Sequence, residues 1–229
     1  MKKIKISSEL AYLIGLVLLA FAVSMITTAS FGVSMLIAPS LILSKKFVFL
    51  SFGQWEYVLQ GILFIIMCIW AKKIKPIYVF AFLSSIAFGT FLDLFLKLPI
   101  YNPAFYGINE FNIAFRIGFF AVAEILIGIA LAFSFKSYLY PQTTDFFVKC
   151  ITGIYKYNLS KFKLIFDIAF LTLSVALTLI LFKSFVGIGV GTIIITFLNG
   201  PMIGVFGKIL DKFFVFTPTF KKLEKVFEL

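Results

Sequence analysis

Phe88-Gly89-Thr90-Phe91-Leu92-Asp93 and Asn199-Gly200-Pro201-Met202-Ile203-Gly204 each close an apolar span, and each does so after the same series of segments. From 31 to 93 the chain passes through a break, an apolar segment carrying Ser and Lys, one span and then another. From 139 to 204 it repeats that order, and a further long apolar span precedes each copy. A unit of three spans is odd, so the second copy must enter a bilayer upside down relative to the first. Inverted repeats are a common plan of secondary transporters, whose sites lie at the midplane between the halves. The expected fold is therefore all-α. Residues 1–110 form a first three-span repeat, 111–207 a second, and 208–229 a membrane-surface tail rich in Phe and Lys and broken at Pro218.

Composition supports the membrane assignment. The chain of 229 residues is 62% hydrophobic with a mean hydropathy of +1.09, only 14% charged, and holds 32 Phe, too little polar surface for a water-soluble domain. Spans of roughly 20 apolar residues are predicted at 10–28, 55–71, 77–96, 115–135, 164–182 and 185–206. The last two, separated only by Lys183 and Ser184, read as a tight hairpin.

The formal charge of +11 is distributed asymmetrically. With the N-terminus inside, 16 of the 21 basic residues fall in cytoplasmic segments, and Lys45, Lys46, Lys97, Arg116 and Lys183 fall outside. The positive-inside rule then places both termini in the cytoplasm of a multi-pass plasma-membrane protein. Dispersed lysines suit anionic lipids of the bilayer as partners rather than nucleic acid. Met1-Lys2-Lys3-Ile4-Lys5 before an apolar run imitates a signal peptide, but the run is long and five more spans follow. Without histidine or a Cys cluster, and with Cys68 in the second span and Cys150 in an inside segment facing a different environment, no metal or cofactor is expected.

The segments 34–44 and 144–155 are too apolar for ordinary loops and too short to cross. Gly32-Val33-Ser34 and Pro141-Gln142-Thr143-Thr144-Asp145 supply helix-starting chemistry. Both read as short helices, either interfacial or re-entrant; a re-entrant helix would aim a partly positive N-terminus inward, a seat for an anion. Gly187-Ile188-Gly189-Val190-Gly191-Thr192 opens the last span and Pro201 interrupts it. The glycines and the proline are read either as close helix packing or as a helix break exposing backbone groups beside Thr196, Asn199 and Gly200.

Few ionisable groups lie within the spans. Glu124 is at the centre of the fourth span, where a carboxylate costs several kcal/mol unless protonated, paired or hydrated. It is read as a proton-coupling or substrate-contacting group, or as a protonated helix-to-helix hydrogen bond. Arg116 lies eight residues away on the same helix, about 12 Å, and is expected to meet Asp93 instead. Gln60 and Asp167 occupy matching positions in the two copies and suit two gates around one site, or interfacial anchors. The candidate substrate site thus comprises Ser34, Asp93, Arg116, Glu124, Thr196, Asn199 and Gly200. No catalytic constellation is present, and Gly187, Gly189 and Gly191 open a span rather than follow a soluble strand, so neither enzyme nor nucleotide-binding readings are supported.

Ser30-Phe31-Gly32-Val33-Ser34, Leu50-Ser51-Phe52-Gly53-Gln54-Trp55, the Gly89 to Asp93 ending, and above all the glycine run with Asn199-Gly200-Pro201 resemble the bacterial YczE/YyaS/YitT group of membrane proteins. The resemblance covers most of the chain. Met35 departs from it where proline is usual, and Leu139 where glycine is usual. It implies a polytopic bacterial plasma-membrane protein and supports the fold more than the function. The expectation is a small secondary transporter or exporter of a polar or anionic small molecule. The alternative is an accessory protein docking a partner through the basic segment 136–163. Glycine-rich spans pack within one chain or between two, which leaves a homodimer open.

Overall fold

A computed structural model describes residues 3–72, 74–139 and 142–220. Lys2, Lys73 and Pro141, and the tail residues Lys221, Lys222, Lys225 and Phe227, lie outside the described residues. Eight helices are described: α1 (Ser8–Ala29), α2 (Ala38–Lys46), α3 (Phe52–Ala71), α4 (Pro76–Leu96), α5 (Ile113–Phe135), α6 (Thr143–Tyr155), α7 (Leu159–Phe182) and α8 (Val190–Phe213). Six of them, all but α2 and α6, are long and apolar enough to cross a membrane. The order long, short, long, long therefore occurs twice.

Local sequence sets the helix ends. Ser7 Oγ accepts the Leu10 N–H at 3.0 Å to start α1. Ser51 and Gln54 bond each other reciprocally to start α3, and Asn112 and Asn158 cap α5 and α7. Each such cap supplies partners for amide groups that a helix start leaves open.

Two short strands, β1 (Ile4–Ser7) and β2 (Phe214–Thr217), pair in parallel and close one end of the bundle. The Glu9 carboxylate accepts N–H groups from Thr219 at 3.1 Å and Phe220 at 3.0 Å, and the Tyr138 hydroxyl at 2.8 Å. Residues 208–213, expected in the tail, are instead the last turns of α8, and the described part of the tail docks as β2. We call this the β-capped end and the other the far end.

α1 lies at the centre, packed against α5 and α4. Apolar burial drives little helix association in lipid, so close approach of small residues matters more. A Cβ on Gly15 would collide with the Ser134 hydroxyl on α5, and one on Gly53 with the Gly89 carbonyl on α4. The short helices cross over between halves: α2 packs on α3 and α7, α6 on α3, α4 and α7. The tight hairpin expected of the last two spans does not form. After the left-handed turn at Lys183, α7 packs on α2 and α6, while α8 packs on α5, so the two diverge.

Neither short helix lies across an end of the bundle. The first amides of α6 donate to Ser85 and Gln60, which are mid-helix residues of α4 and α3, and its last residue, Tyr155, donates its hydroxyl to the Trp70 carbonyl at the β-capped end of α3. α6 thus runs inside the bundle from mid-height to the β-capped end. α2 is shorter than the expected 34–44 segment. Residues 34–37 precede it as a turn, and Pro39 sits in its first turn, where the missing N–H costs no helical bond.

Candidate functional site

Where α1, α5, α7 and α8 surround the starts of α2 and α6, a cavity of about 300 Å³ remains. Ser34, Met35, Leu36 and Ile37 reach it ahead of α2, Gln142, Thr144 and Asp145 from the start of α6, Lys163 and Asp167 from α7, and Thr196, Asn199 and Gly200 from α8. Leu19, Val23, Ile127, Leu131 and Ile195 make its apolar walls. It lies on the open side left by the divergence of α7 and α8, and extends from mid-height toward Phe135 at the β-capped end of α5. The volume is at the lower end of ligand-pocket sizes.

Three polar atoms on this cavity are buried without a hydrogen-bond partner: Gln142 Nε2, Thr144 Oγ1 and Asn199 Oδ1. A buried unsatisfied polar group costs about 1–3 kcal/mol. Three on one cavity wall mark it as a place that a polar molecule or water completes. Asp145 contributes a carboxylate that has no hydrogen-bond partner among the described residues. Burial raises its pKa above the usual carboxylate value; nearby Lys163 opposes that rise and nearby Asp167 adds to it. Lys163 is already committed to Asp167, at 3.1 Å.

Asp145, Lys163 and Asp167 have counterparts in the first half at identical helix positions. Asp145 is the third residue of α6 and Ser40 the third of α2; Lys163 and Asp167 are the fifth and ninth of α7, Glu56 and Gln60 the fifth and ninth of α3. The first-half set is closed. Ser40 donates to Glu56, Gln60 Nε2 donates to the other Glu56 oxygen at 2.8 Å, and Gln60 Oε1 accepts the Thr144 N–H at 3.1 Å. Ser85 Oγ accepts the adjacent Thr143 N–H at 3.1 Å. One polar chain thus links α2, through α3, to the start of α6, and it is buried throughout. The second-half set is open and faces the cavity.

Of the residues expected at the site, Ser34, Asp167, Thr196, Asn199 and Gly200 meet at this cavity. The others do not. Asp93 accepts from Ser51 and from the Gly53 N–H at 2.8 Å, fixing the start of α3 against α4. Arg116 donates from Nε to the Ala29 carbonyl at 2.8 Å and lies over the Phe31 ring, closing the last carbonyls of α1. Among the described residues it makes no ion pair with Asp93. Gln60 belongs to the closed chain rather than to a cavity wall. Glu124 is buried with both carboxylate oxygens unpartnered, yet lies off the cavity; Ile127, one turn along α5, is the nearest of its own helix to line it.

The expected helix break is also absent. Gly187 and Gly189 precede α8, and the glycine run is a joint against residues 31–33: Val33 donates to the Gly187 carbonyl at 3.0 Å and Gly191 to the Phe31 carbonyl at 2.8 Å. A Cβ on Gly189 would stand 2.5 Å from that Phe31 carbonyl. α8 then continues through Pro201 without interruption. A proline there frees only the carbonyl four residues earlier, that of Phe197, and neighbouring turns hold the helix.

Ser40, Glu56, Gln142, Thr144, Asp145 and Lys163 were not among the expected site residues. Their signal lay in the sequence as a polar pair spaced four apart, Glu56–Gln60 and Lys163–Asp167, early in two otherwise apolar spans of the two copies. Only Gln60 and Asp167 of the four stood out before the helix starts were known.

Residues 6–208 match a family of unknown function, DUF6198. The chain is 29% identical over 205 residues to the uncharacterized protein YyaS of Bacillus subtilis (strain 168), covering 89% of this chain and 94% of that protein. No solved structure matches.

Proposed function

We propose, from the premise that the chain belongs to the family of unknown function DUF6198, that it is a small secondary transporter built as two inverted repeats. The observation that carries this reading is the cavity, at the level where both short helices start, with three unpartnered polar atoms on its wall. Such a position, reached from opposite sides by two re-entrant helices, is where inverted-repeat transporters hold cargo. The matched polar sets supply the two gates. The first-half set, hydrogen-bonded and buried, closes the far side; the second-half set stands open toward the β-capped side. Movement of one repeat against the other would exchange these states around one site. With the β-capped end in the cytoplasm, as the lysine distribution favours, the present state faces inward. Glu124, buried near the cavity and unpartnered, is the group we assign to proton exchange.

The accessory reading has less support. Thirteen of the 28 residues of the segment 136–163 that would dock a partner form α6, which is buried in the bundle over much of its length.

Thiol labelling tests the proposal without a known substrate. In a Cys68→Ser/Cys150→Ser background, Asn199→Cys in oriented vesicles should react with a membrane-impermeant thiol reagent from the β-capped side. Adding Glu56→Gln, which weakens the closed set, should shift that reactivity toward the far side and lower it on the first. Reactivity from neither side would leave no aqueous route and return the accessory reading. Once a cargo is known, Glu124→Gln should label as before and lose proton-dependent flux.

A further inference from the structure

The chemistry of the cavity wall goes further than its existence and, resting on the transporter reading, concerns the class of cargo. A re-entrant helix start ordinarily favours an anion, because several amide N–H groups are free there. In this protein the first amides of α6 are already used: Thr143 donates to Ser85 and Thr144 to Gln60. At the start of α2, Ile37 and Ala38 both donate to the Ser34 carbonyl and Pro39 has no N–H to give. Neither helix start therefore offers these amides to an anion.

The charged groups point the same way. Two carboxylates, Asp145 and Asp167, line the cavity against one ammonium, Lys163, whose charge is engaged by Asp167 at 3.1 Å. The elements packed on α6 add Glu56 from α3, tied to Ser40 and Gln60, and only the neutral Ser85 from α4. The cavity thus presents one carboxylate without a counter-ion. Beside it stand an acceptor, Asn199 Oδ1, a donor, Gln142 Nε2, and the Thr144 hydroxyl, which serves as either. Gln142 is 6% and Thr144 2% exposed, so the side chains that carry these groups are buried at the cavity wall. The remaining walls are aliphatic.

We propose that the cavity binds a small organic cation: a protonated amine with a hydrogen-bond acceptor on a short apolar body. The ammonium pairs with Asp145 and donates to Asn199, the acceptor takes the Gln142 N–H, and the body lies against Leu19, Val23, Ile127 and Ile195. A bare alkali cation would satisfy Asp145 but leave the aliphatic walls and the Gln142 donor without partners.

Thermal unfolding of the purified full chain in detergent tests this with defined probes. The panel is ethanolamine, phenethylamine, hydroxylated phenethylamine, phenylpropionate and sodium chloride, each titrated at constant ionic strength. A ligand that binds only the folded state raises its apparent stability. The amines should stabilise, the hydroxylated one most, and phenylpropionate should not. Asp145→Asn should weaken amine binding about tenfold or more, since a hydrogen bond to a charged group is lost, whereas the exposed, distant Glu110→Gln should leave it unchanged. Stabilisation by phenylpropionate alone, by sodium as strongly as by amines, or by amines equally in Asp145→Asn would overturn the inference, as would no response to any amine. The labelling of Asn199→Cys is independent of these outcomes, so a wrong cargo class and a wrong transporter assignment are separable.

Discussion

Replacing Gln60 by Met keeps the volume and shape of the side chain and removes both of its hydrogen-bonding ends. Two groups are then stranded in a dry interior: the Thr144 amide, which donates to Gln60 at 3.1 Å, and the Glu56 oxygen, which accepts from it at 2.8 Å. At about 1–3 kcal/mol for each buried group left unpaired, the loss is about 2–6 kcal/mol. For a chain of this length about 2–4 °C in midpoint accompanies each kcal/mol. The expected fall is therefore roughly 4–24 °C. Asp167→Asn alters the matched position of the second repeat and provides the comparison. Its partner Lys163 is 44% exposed at the side chain and the pair is a four-residue helical one. Such pairs contribute about 0.3–0.5 kcal/mol, so the midpoint should move by no more than about 2 °C. The assay is thermal unfolding of both variants in the same detergent. If Gln60→Met unfolds within about 2 °C of the parent, or no lower than Asp167→Asn, the closed chain from α2 to α6 does not hold the far side together.

Two further outcomes follow from the same geometry. Gly89→Ala places a Cβ 2.7 Å from the Gly53 carbonyl and 2.5 Å from the Tyr57 ring; because a backbone atom cannot swing away, overpacking should lower stability by about 1–3 kcal/mol, measured as a lower unfolding midpoint. Burial raises the Asp145 carboxyl above its ordinary value, so the folded chain binds that proton more tightly than the unfolded one; without ligand, stability should fall as pH rises from the usual carboxylate range through the raised pKa, and Asp145→Asn should flatten that part of the profile of midpoint against pH.

The spans were readable because their signal is local. A run of about 20 apolar residues with lysines at its ends needs no knowledge of its neighbours, and the structure moves the predicted starts and ends by only a few residues for most helices. The short helices were readable as helices, from Ser, Thr and Pro at their starts, but not as to depth. Depth depends on which mid-helix side chains receive the first amides, and Gln60 and Ser85 are not distinguishable from ordinary span residues by type. The cavity residues divide on the same line. Asn199, Thr196 and Ser34 are polar residues in apolar surroundings and were visible. Asp93 and Arg116 were visible for the same reason and lie off this cavity, because a polar residue near a helix end also serves as a cap. Asp145 read as the start of a short helix and Lys163 as a charge of the basic segment, and neither was placed at a site until α6 was found inside the bundle.

In the transporter we propose, one difference between the halves bears on which side is open. In the first, Gly53 is the second residue of α3 and Gly89 the fourteenth of α4, and each approaches the other's carbonyl. At the same helix positions the second repeat has Ser160 in α7 and Ile203 in α8. The glycine that matches Gly89 in the sequence, Gly200, has open space where a Cβ would stand and lines the cavity together with Ile203. The polar sets follow the same asymmetry. Ser40, Glu56 and Gln60 hydrogen-bond among themselves because they hold one carboxyl, one hydroxyl and one amide. Asp145, Lys163 and Asp167 hold three charges that cannot all be paired within the set. A buried, hydrogen-bonded polar set in the first half and a charged set open to the cavity in the second thus follow from the residues at these positions. In the transporter we propose, these residues set the side to which the site is open.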